Sequence, residues 1–291
     1  GEVCRLLLPA IPVCQGPIGA PKWREDRLAM RVLQVGDMAG VGYKLHQLLR
    51  ADSCDTRLLV CARETRFSVM AESEGVTELP YKNRSSNLRL LAKLVQSRGT
   101  ADIYHGHSLM SILLMLTCRP YIAHFHGSDI HEVASSDTYL GRAIRLAMRK
   151  ATHVLHCTHD LAPSIIAAGV DPANMTWLPN PIDTDRFCRI TPETKPFPDG
   201  GFTILHPQPV REERRNRLFF EAFAQVAREH ADVRLVWFKH KRSGERHSQL
   251  EGFLRESGVI GQVHQMSRVA PKEMIECINS ADVVVDWFNR D

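Results

Sequence analysis

The stretch Trp177-Leu178-Pro179-Asn180-Pro181-Ile182-Asp183, closed by Phe187, decides how this chain is organised. Apolar residues lead into a proline, an Asn-Pro pair and a carboxylate, an order that is typical of a short strand ending in a fixed turn. Each proline sets φ near about −65° and removes a backbone donor, so the chain must leave the sheet here. The side chains of Asn180 and Asp183 can hydrogen-bond the backbone of the turn. We interpret the stretch as the exit from one α/β domain toward the next.

Short apolar runs alternate with amphipathic stretches on both sides of this turn. Before it, the first run is 31–35; after it, the runs resume at 202–205 and end at 282–287. Strands that alternate with helices indicate parallel, doubly wound sheets. The sequence therefore predicts an α/β fold of two Rossmann-like domains.

The domain boundaries follow from changes in composition along the chain. We predict a poorly ordered extension at 1–29, an N-terminal Rossmann-like domain at 30–187, a linker rich in Pro and Thr at 188–200, and a partial C-terminal Rossmann-like domain at 201–291. The last predicted strand reaches the end of the chain with no helix to cover it. We therefore expect the second domain to be incomplete and the chain to be C-terminally truncated.

The composition fits a globular protein, with 44% hydrophobic and 24% charged residues among 291. A net charge of +4 suits anionic ligands such as phosphates, and we predict no nucleic-acid partner. No apolar run reaches the roughly 18–20 residues that span a bilayer. The eight cysteines form no CxxC pair, so we predict reduced, buried thiols and a cytoplasmic location.

Two glycines follow the first predicted strand, in Gly40-Val41-Gly42. Glycines at this point let backbone N–H groups approach a phosphate at a helix N-terminus, so we predict that Gly40 and Gly42 bind a phosphate group of the ligand. A tight strand-to-helix turn without a ligand would explain the same residues.

Histidines end two predicted strands, in His105-Gly106-His107 and in His124-Phe125-His126-Gly127. At a strand's carboxyl tip, His126 can donate a hydrogen bond to a sugar hydroxyl or to developing charge. A structural histidine is the alternative interpretation. The two His-x-His pairs also allow a metal site, but no carboxylate cluster accompanies both pairs, and we predict no metal.

Arginines precede the predicted helix of the second domain, at Arg211, Arg214 and Arg215. Cations at a helix N-terminus oppose the helix dipole unless an anion is present, and a diphosphate would serve as that anion. Pairing with Glu212 and Glu213 is the alternative.

A second basic segment, 81–98, contains no acidic residue. Leucines and a valine give it an apolar side, so it can contact an anionic membrane surface peripherally. A helix whose basic side faces water fits the pattern equally well.

Together these residues resemble the retaining GT-B-fold glycosyltransferases of family four, the group 1 type. The resemblance is carried by the Asn180-Pro181-Ile182-Asp183 turn with Phe187, Cys157-Thr158-His159-Asp160, His126-Gly127, Arg211, Arg215-Asn216 with Glu221-Ala222-Phe223, and Ser280-Ala281-Asp282-Val283. It implies transfer of a sugar from a nucleotide-diphosphate donor to a glycan, lipid-linked or small-molecule acceptor, with retention and without metal or cofactor. It also implies that His126 acts on the donor sugar and that Arg211 and Arg215 bind the donor diphosphate.

The chain departs from this family in its second half. His206-Pro207-Gln208-Pro209 stands where the family usually has a glycine and an arginine, and Arg215 replaces the usual lysine. The family's Glu-x7-Glu segment, which contacts donor sugar and ribose, lies beyond a strand like 283–287 and is absent. We therefore expect poor donor binding from the chain as it stands. The alternatives are a non-catalytic GT-B-like protein that binds a membrane or a protein partner, and a metallohydrolase built on the paired histidines.

Overall fold

The computed structural model of this chain describes residues 30–38, 40–61, 74–79, 85–97, 99–185, 187–192, 195–198, 200–208, 210, 216–239, 244–267 and 269–285. The predicted extension 1–29 and the arginines Arg211, Arg214 and Arg215 lie outside these residues. The chain divides between Ile182 and Asp183 into two compact units.

The first unit is built on one parallel sheet. Its strands are β1 (Arg31–Val35), β2 (Asp55–Cys61), β3 (Val76–Leu79), β4 (Ile103–His107), β5 (Ile122–Phe125), β6 (His153–His156) and β7 (Met175–Trp177). Its helices are α1 (Val41–Ala51), α2 (Ser85–Gln96), α3 (Met110–Leu116), α4 (Tyr139–Lys150) and α5 (Leu161–Ala167). The strand order β3-β2-β1-β4-β5-β6-β7 reverses between β1 and β4, the kind of switch point at which α/β sheets bind ligands.

The two faces of this sheet differ in polarity. Helices α2 to α5 cover one face, where Leu33 and Phe125 belong to the main apolar core. On the other face a smaller apolar cluster around Val32 and Ile103 packs with Leu49 of α1. Because side chains alternate along a strand, Gln34 follows Val32 and His105 follows Ile103 on that second face. The second face is thus apolar toward the amino ends of its strands and polar toward their carboxyl ends.

The second unit contains a smaller parallel sheet. Its strands are β8 (Phe202–His206), β9 (Val233–Phe238), β10 (Val263–Met266) and β11 (Val283–Val284), in the order β10-β9-β8-β11. Its helices are α6 (Asn216–Glu229), α7 (Gly244–Glu256) and α8 (Pro271–Ser280). One apolar cluster forms around Phe220 and Trp237, and another around Phe238 and Cys277. Two parallel sheets with helices confirm the predicted α/β fold of two Rossmann-like units.

The apolar side of the basic segment is divided between core and surface: Leu90 and Leu94 of α2 are buried against the first sheet, whereas Leu88 and Val95 are exposed. The expectation about the cysteines needs correction. Among the described cysteines, Cys54, Cys61, Cys157 and Cys277 are buried as expected, but Cys118 and Cys188 are exposed because both lie in loops. No helix among the described residues has the length and apolar character needed to cross a membrane.

Candidate active site

His126 lies one residue beyond β5, at the carboxyl edge of the first sheet. The carboxylate of Asp129 fixes its backbone: both oxygens accept from the His126 N–H at 3.1 Å, and Oδ1 accepts from the Gly127 N–H at 2.9 Å. Gly127 has φ +133°, a conformation that favours glycine, which allows this sharp turn. The sequence His-Gly-x-Asp therefore encodes a closed turn that presents the His126 ring.

The His126 ring lies between two polar side chains. Its Nδ1 is 3.3 Å from Asn180 Oδ1, and its Nε2 is 3.1 Å from Nδ1 of His107. An amide oxygen only accepts, so Nδ1 of a neutral His126 carries the proton and donates it to Asn180. Nε2 is then left to accept from the Nδ1–H of His107. These contacts assign the tautomers of both rings.

Gln34 continues this chain of contacts into the protein. Its amide satisfies its neighbours when the nitrogen donates to the Gly42 carbonyl at 3.2 Å and the oxygen accepts from the His46 N–H at 3.1 Å. The amide nitrogen then occupies the position 3.3 Å from His107 Nε2. His107 Nε2 accepts there, which agrees with the tautomer assigned above. Four side chains thus hold one ordered series of donors and acceptors that ends at the sheet edge.

Burial keeps the imidazoles of this region neutral. It lowers the pKa of His126, although the Asp129 charge and the bond to Asn180 act in the opposite direction. Burial and the neighbouring histidines also hold the pKa of His107 well below its ordinary value. His126 therefore offers a neutral N–H donor rather than a cation at neutral pH.

The sequence predicted that the side chain of Asn180 can hydrogen-bond the backbone of its own turn. In the structure this side chain contacts the His126 ring at the tip of β5. The sequence did contain a signal for this contact, because the turn after β7 lies at the same carboxyl edge of the parallel sheet as His126. The sequence did not show that the amide would cross β6 to meet that ring.

Gly40 and Gly42 form the predicted turn between β1 and α1. Gly40 has φ +90° and open space around it, whereas a Cβ on Gly42 would lie 2.5 Å from the Gly36 carbonyl oxygen. The buried carboxylate of Asp37 accepts from the Tyr43 N–H at 3.0 Å and also from the N–H groups of Gly42 and Gly40. The amino end of α1 therefore already holds an anionic group, which the sequence reasoning missed.

Burial raises the pKa of Asp37, and the three N–H donors act in the opposite direction. Its second oxygen, Oδ2, is buried and has no hydrogen-bond partner among the described residues. A phosphate approaching Gly40 and Gly42 would therefore compete with this carboxylate.

Arg211 and Arg215, which the sequence assigns to the donor diphosphate, lie outside the described residues. The strand before them and the helix after them are described. Nδ2 of Asn216, the first residue of α6, is 3.0 Å from Nε2 of His206 at the end of β8, and both residues are buried. This contact ties the end of the strand to the start of the helix that follows Arg215. A cavity of about 230 Å³ elsewhere in this unit is lined by Thr203 and Gly261 near the amino ends of their strands, away from that edge.

Comparison with known proteins is consistent with this geometry. Residues 43–186 match the sequence profile of Glycosyltransferase Family 4. No curated protein sequence matches the chain. Among solved structures, the Anabaena protein HepE in complex with UDP and glucose has a TM-score of 0.65 at 16% identity, over 88% of this chain and 73% of HepE.

Two further structures have the same fold. A glycosyltransferase from Rickettsia africae has a TM-score of 0.65 at 12% identity, over 88% of this chain and 72% of its own. Sucrose-phosphate synthase from Thermosynechococcus elongatus has a TM-score of 0.63 at 12% identity, over 88% of this chain and 74% of its own. By the match over residues 43–186 and the shared fold, this chain resembles the GT-B-fold glycosyltransferases of the group 1 family.

Proposed function

We propose that this chain transfers a sugar from a nucleotide-diphosphate donor to a glycan, lipid-linked or small-molecule acceptor. In this proposal the anomeric configuration is retained, and neither a metal ion nor an organic cofactor takes part in the transfer. The family match supports a transferase, and HepE, of the same fold, is described in complex with UDP and glucose.

The pairing of His126 with Asn180 is the observation that carries this proposal. One group donates through Nδ1–H and the other accepts through Oδ1, at a separation of 3.3 Å. A sugar hydroxyl has the complementary pair, a lone pair and an O–H, so one hydroxyl can bind both groups at once. The remaining contacts of the ring, to His107 and through Asp129, hold it in place for that bond.

The donor diphosphate is assigned to Arg211 and Arg215 from their sequence pattern. Negative charge builds on the diphosphate as the sugar leaves, and fixed cations lower the barrier to that step. We also assign Gly40 and Gly42 to donor binding, on the condition that the Asp37 carboxylate is either displaced by the phosphate or protonated by solvent.

A transfer assay against UDP-, GDP- and ADP-sugars tests the proposal, with release of the nucleoside diphosphate as the signal and NMR of the product for its anomeric configuration. We expect His126→Ala to lower the rate about 100-fold, the size of effect seen when a preorganised polar group is removed. The control is His131→Ala, since His131 follows the same strand but its exposed ring pairs with Asp160. Activity that survives EDTA supports metal-independent transfer. Failure of the wild-type chain to bind any of these donors, even at concentrations high enough to offset the weak binding expected from its sequence, would refute the proposal.

We also propose a cytoplasmic location with peripheral contact to anionic lipid through α2. Leu88 is 69% exposed and Val95 is 41% exposed, and Arg89 and Lys93 are exposed beside them. Sedimentation with phosphatidylserine vesicles at low salt tests the contact, and phosphatidylcholine vesicles are the control. The charge-reversed double variant Arg89→Glu, Lys93→Glu should remain in the supernatant. If the wild type also remains there, the membrane contact is wrong.

A further inference from the structure

We propose that His105, His107 and His124 form a binding site for one divalent transition-metal ion of the zinc class. The site lies inside the first unit, next to His126, and it is independent of the proposed transfer. The sequence predicted no metal here, because it does not show that the rings of His105 and His124 are buried without hydrogen-bond partners among the described residues.

The positions of the three rings follow from the strands. His105 and His107 are two residues apart on β4, so they share one face of the sheet. His124 lies directly opposite His107 in the parallel pairing of β4 with β5. One ring nitrogen from each of the three lies within 4.8 Å of the others.

The spacing of the rings is that of ligands around one ion. The ring centres are 4.5 Å apart for His105 and His107, 5.4 Å for His105 and His124, and 5.2 Å for His107 and His124. Three imidazoles bound to a tetrahedral zinc ion at about 2.0–2.1 Å have ring centres roughly 5 Å apart. The planes of His105 and His124 are only 14° apart, so at least one of these rings must rotate about its side-chain torsions to direct its nitrogen at the shared ion.

The hydrogen bonding of the cluster is incomplete without an ion. His105 and His124 are 1% and 0% exposed, yet neither ring nitrogen of either residue has a hydrogen-bond partner among the described residues. Buried polar groups in proteins are nearly always paired, so two fully unpaired imidazoles side by side need an explanation. A metal ion would bind one lone pair from each ring. At His107 that lone pair is on Nε2, so the ion would displace the Gln34 amide, which lies 3.3 Å from this nitrogen.

The chemistry of the three ligands selects the ion. All three donors are imidazole nitrogens, which suit zinc, cobalt, nickel and copper rather than magnesium or calcium. Neutral imidazole is the form of histidine that binds metal ions. Three protein ligands leave one position for water or an anion. The ion would brace β4 against β5, the two strands whose ends present His107 and His126.

The test uses the full chain without an affinity tag, stripped of metal with a chelator. Titration with Co²⁺, followed by its visible d–d absorption, should saturate at one equivalent, and Zn²⁺ should displace the cobalt. His105→Gln and His124→Gln should each weaken binding at least about tenfold, because loss of a mere outer-shell partner of a ligand costs 10- to 100-fold.

The matched control is His153→Gln. His153 is buried in the neighbouring strand β6, but its ring lies 2.8 Å from the Thr176 hydroxyl and is not part of the cluster. Cobalt affinity should be unchanged in this variant. Circular dichroism of each metal-free variant checks folding, and His107→Gln replaces any variant that does not fold. Absence of stoichiometric cobalt binding by the wild type, or equal affinity in the folded cluster variants, would overturn the site, whatever the transfer assay shows.

Discussion

Asn180 and His126 show how a single hydrogen bond can prepare a binding site. Their separation of 3.3 Å is long for a hydrogen bond, so a ligand hydroxyl can displace it at little cost. The site keeps both groups satisfied while it is empty and offers both when a sugar enters. Because His126 donates and Asn180 accepts, a bound hydroxyl must direct its own proton toward Asn180.

Removal of the amide should therefore weaken the donor complex and its transition state together. We expect Asn180→Ala to lower kcat/KM for the sugar donor by about tenfold, the effect of one hydrogen bond worth roughly 1.4 kcal/mol. Steady-state kinetics at neutral pH measures this. Asn174→Ala, on the turn before β7, should leave kcat/KM unchanged, and an unchanged value for Asn180→Ala would show that the amide does not contact the donor.

Asp129 contributes to the stability of the turn that holds His126. It is buried and accepts from two backbone N–H groups, those of His126 and Gly127. Asp129→Ala leaves both donors unpaired, so we expect the free energy of unfolding to fall by about 2–3 kcal/mol. Asp129→Asn retains one acceptor oxygen and should lose less. Urea unfolding of the two variants decides this, and equal losses would mean that the backbone bonds do not account for the effect.

At the scale of elements, the sequence was informative wherever apolar residues formed short runs bounded by glycine or polar residues. β1 appears at its predicted position, and β8 begins where predicted and extends one residue further, to His206. β3 was missed because it is a four-residue edge strand in which no residue is fully buried. α3 was missed because its seven residues, Met110–Leu116, are almost all apolar and show no helical period.

The turn before α1 uses its two glycines for different physical reasons. Gly40 needs a left-handed backbone but has free space, so Gly40→Ala should cost about 1–2 kcal/mol of folding free energy. Gly42 has no such backbone need, but its Cβ would collide with the Gly36 carbonyl, so Gly42→Ala should cost about 1–3 kcal/mol.

Asparagine distinguishes the two causes, because it tolerates the left-handed conformation better than alanine does. Gly40→Asn should recover part of the loss seen in Gly40→Ala, whereas Gly42→Asn should be no better than Gly42→Ala. Thermal unfolding of the four variants measures this. Recovery at Gly42 instead of Gly40 would contradict the assignment of strain and collision.

For the whole molecule, the sequence predicted the two-sheet fold and the edge at which His126 lies, because both depend on local patterns. It could not predict that Asn180 reaches His126, that Asp37 occupies the start of α1, or that His105 and His124 are buried without partners. Each of these depends on side chains brought together across neighbouring strands. Strand periodicity places a residue on a face, but the packing of the whole unit decides which atoms meet there.

The burial of the cysteines gives a final test that covers both units. Cys118 and Cys188 are exposed, and Cys157 and Cys277 are buried in the first and second unit. Burial raises the pKa of Cys277 to about 11, so only about one molecule in a thousand carries this thiolate at pH 8. Burial also raises the pKa of the Cys157 thiol.

We therefore expect iodoacetamide at pH 8 to alkylate Cys118 and Cys188 rapidly in the native chain. Cys157 and Cys277 should react at a comparable rate only after the chain is unfolded in urea. Peptide mass spectrometry after timed quenching assigns each thiol, and the urea-unfolded chain serves as the control for intrinsic reactivity. Rapid native alkylation of Cys277 would contradict the packing of α8 against β8 and β9, because the Cys277 thiol belongs to the apolar cluster that includes Leu205 and Phe238.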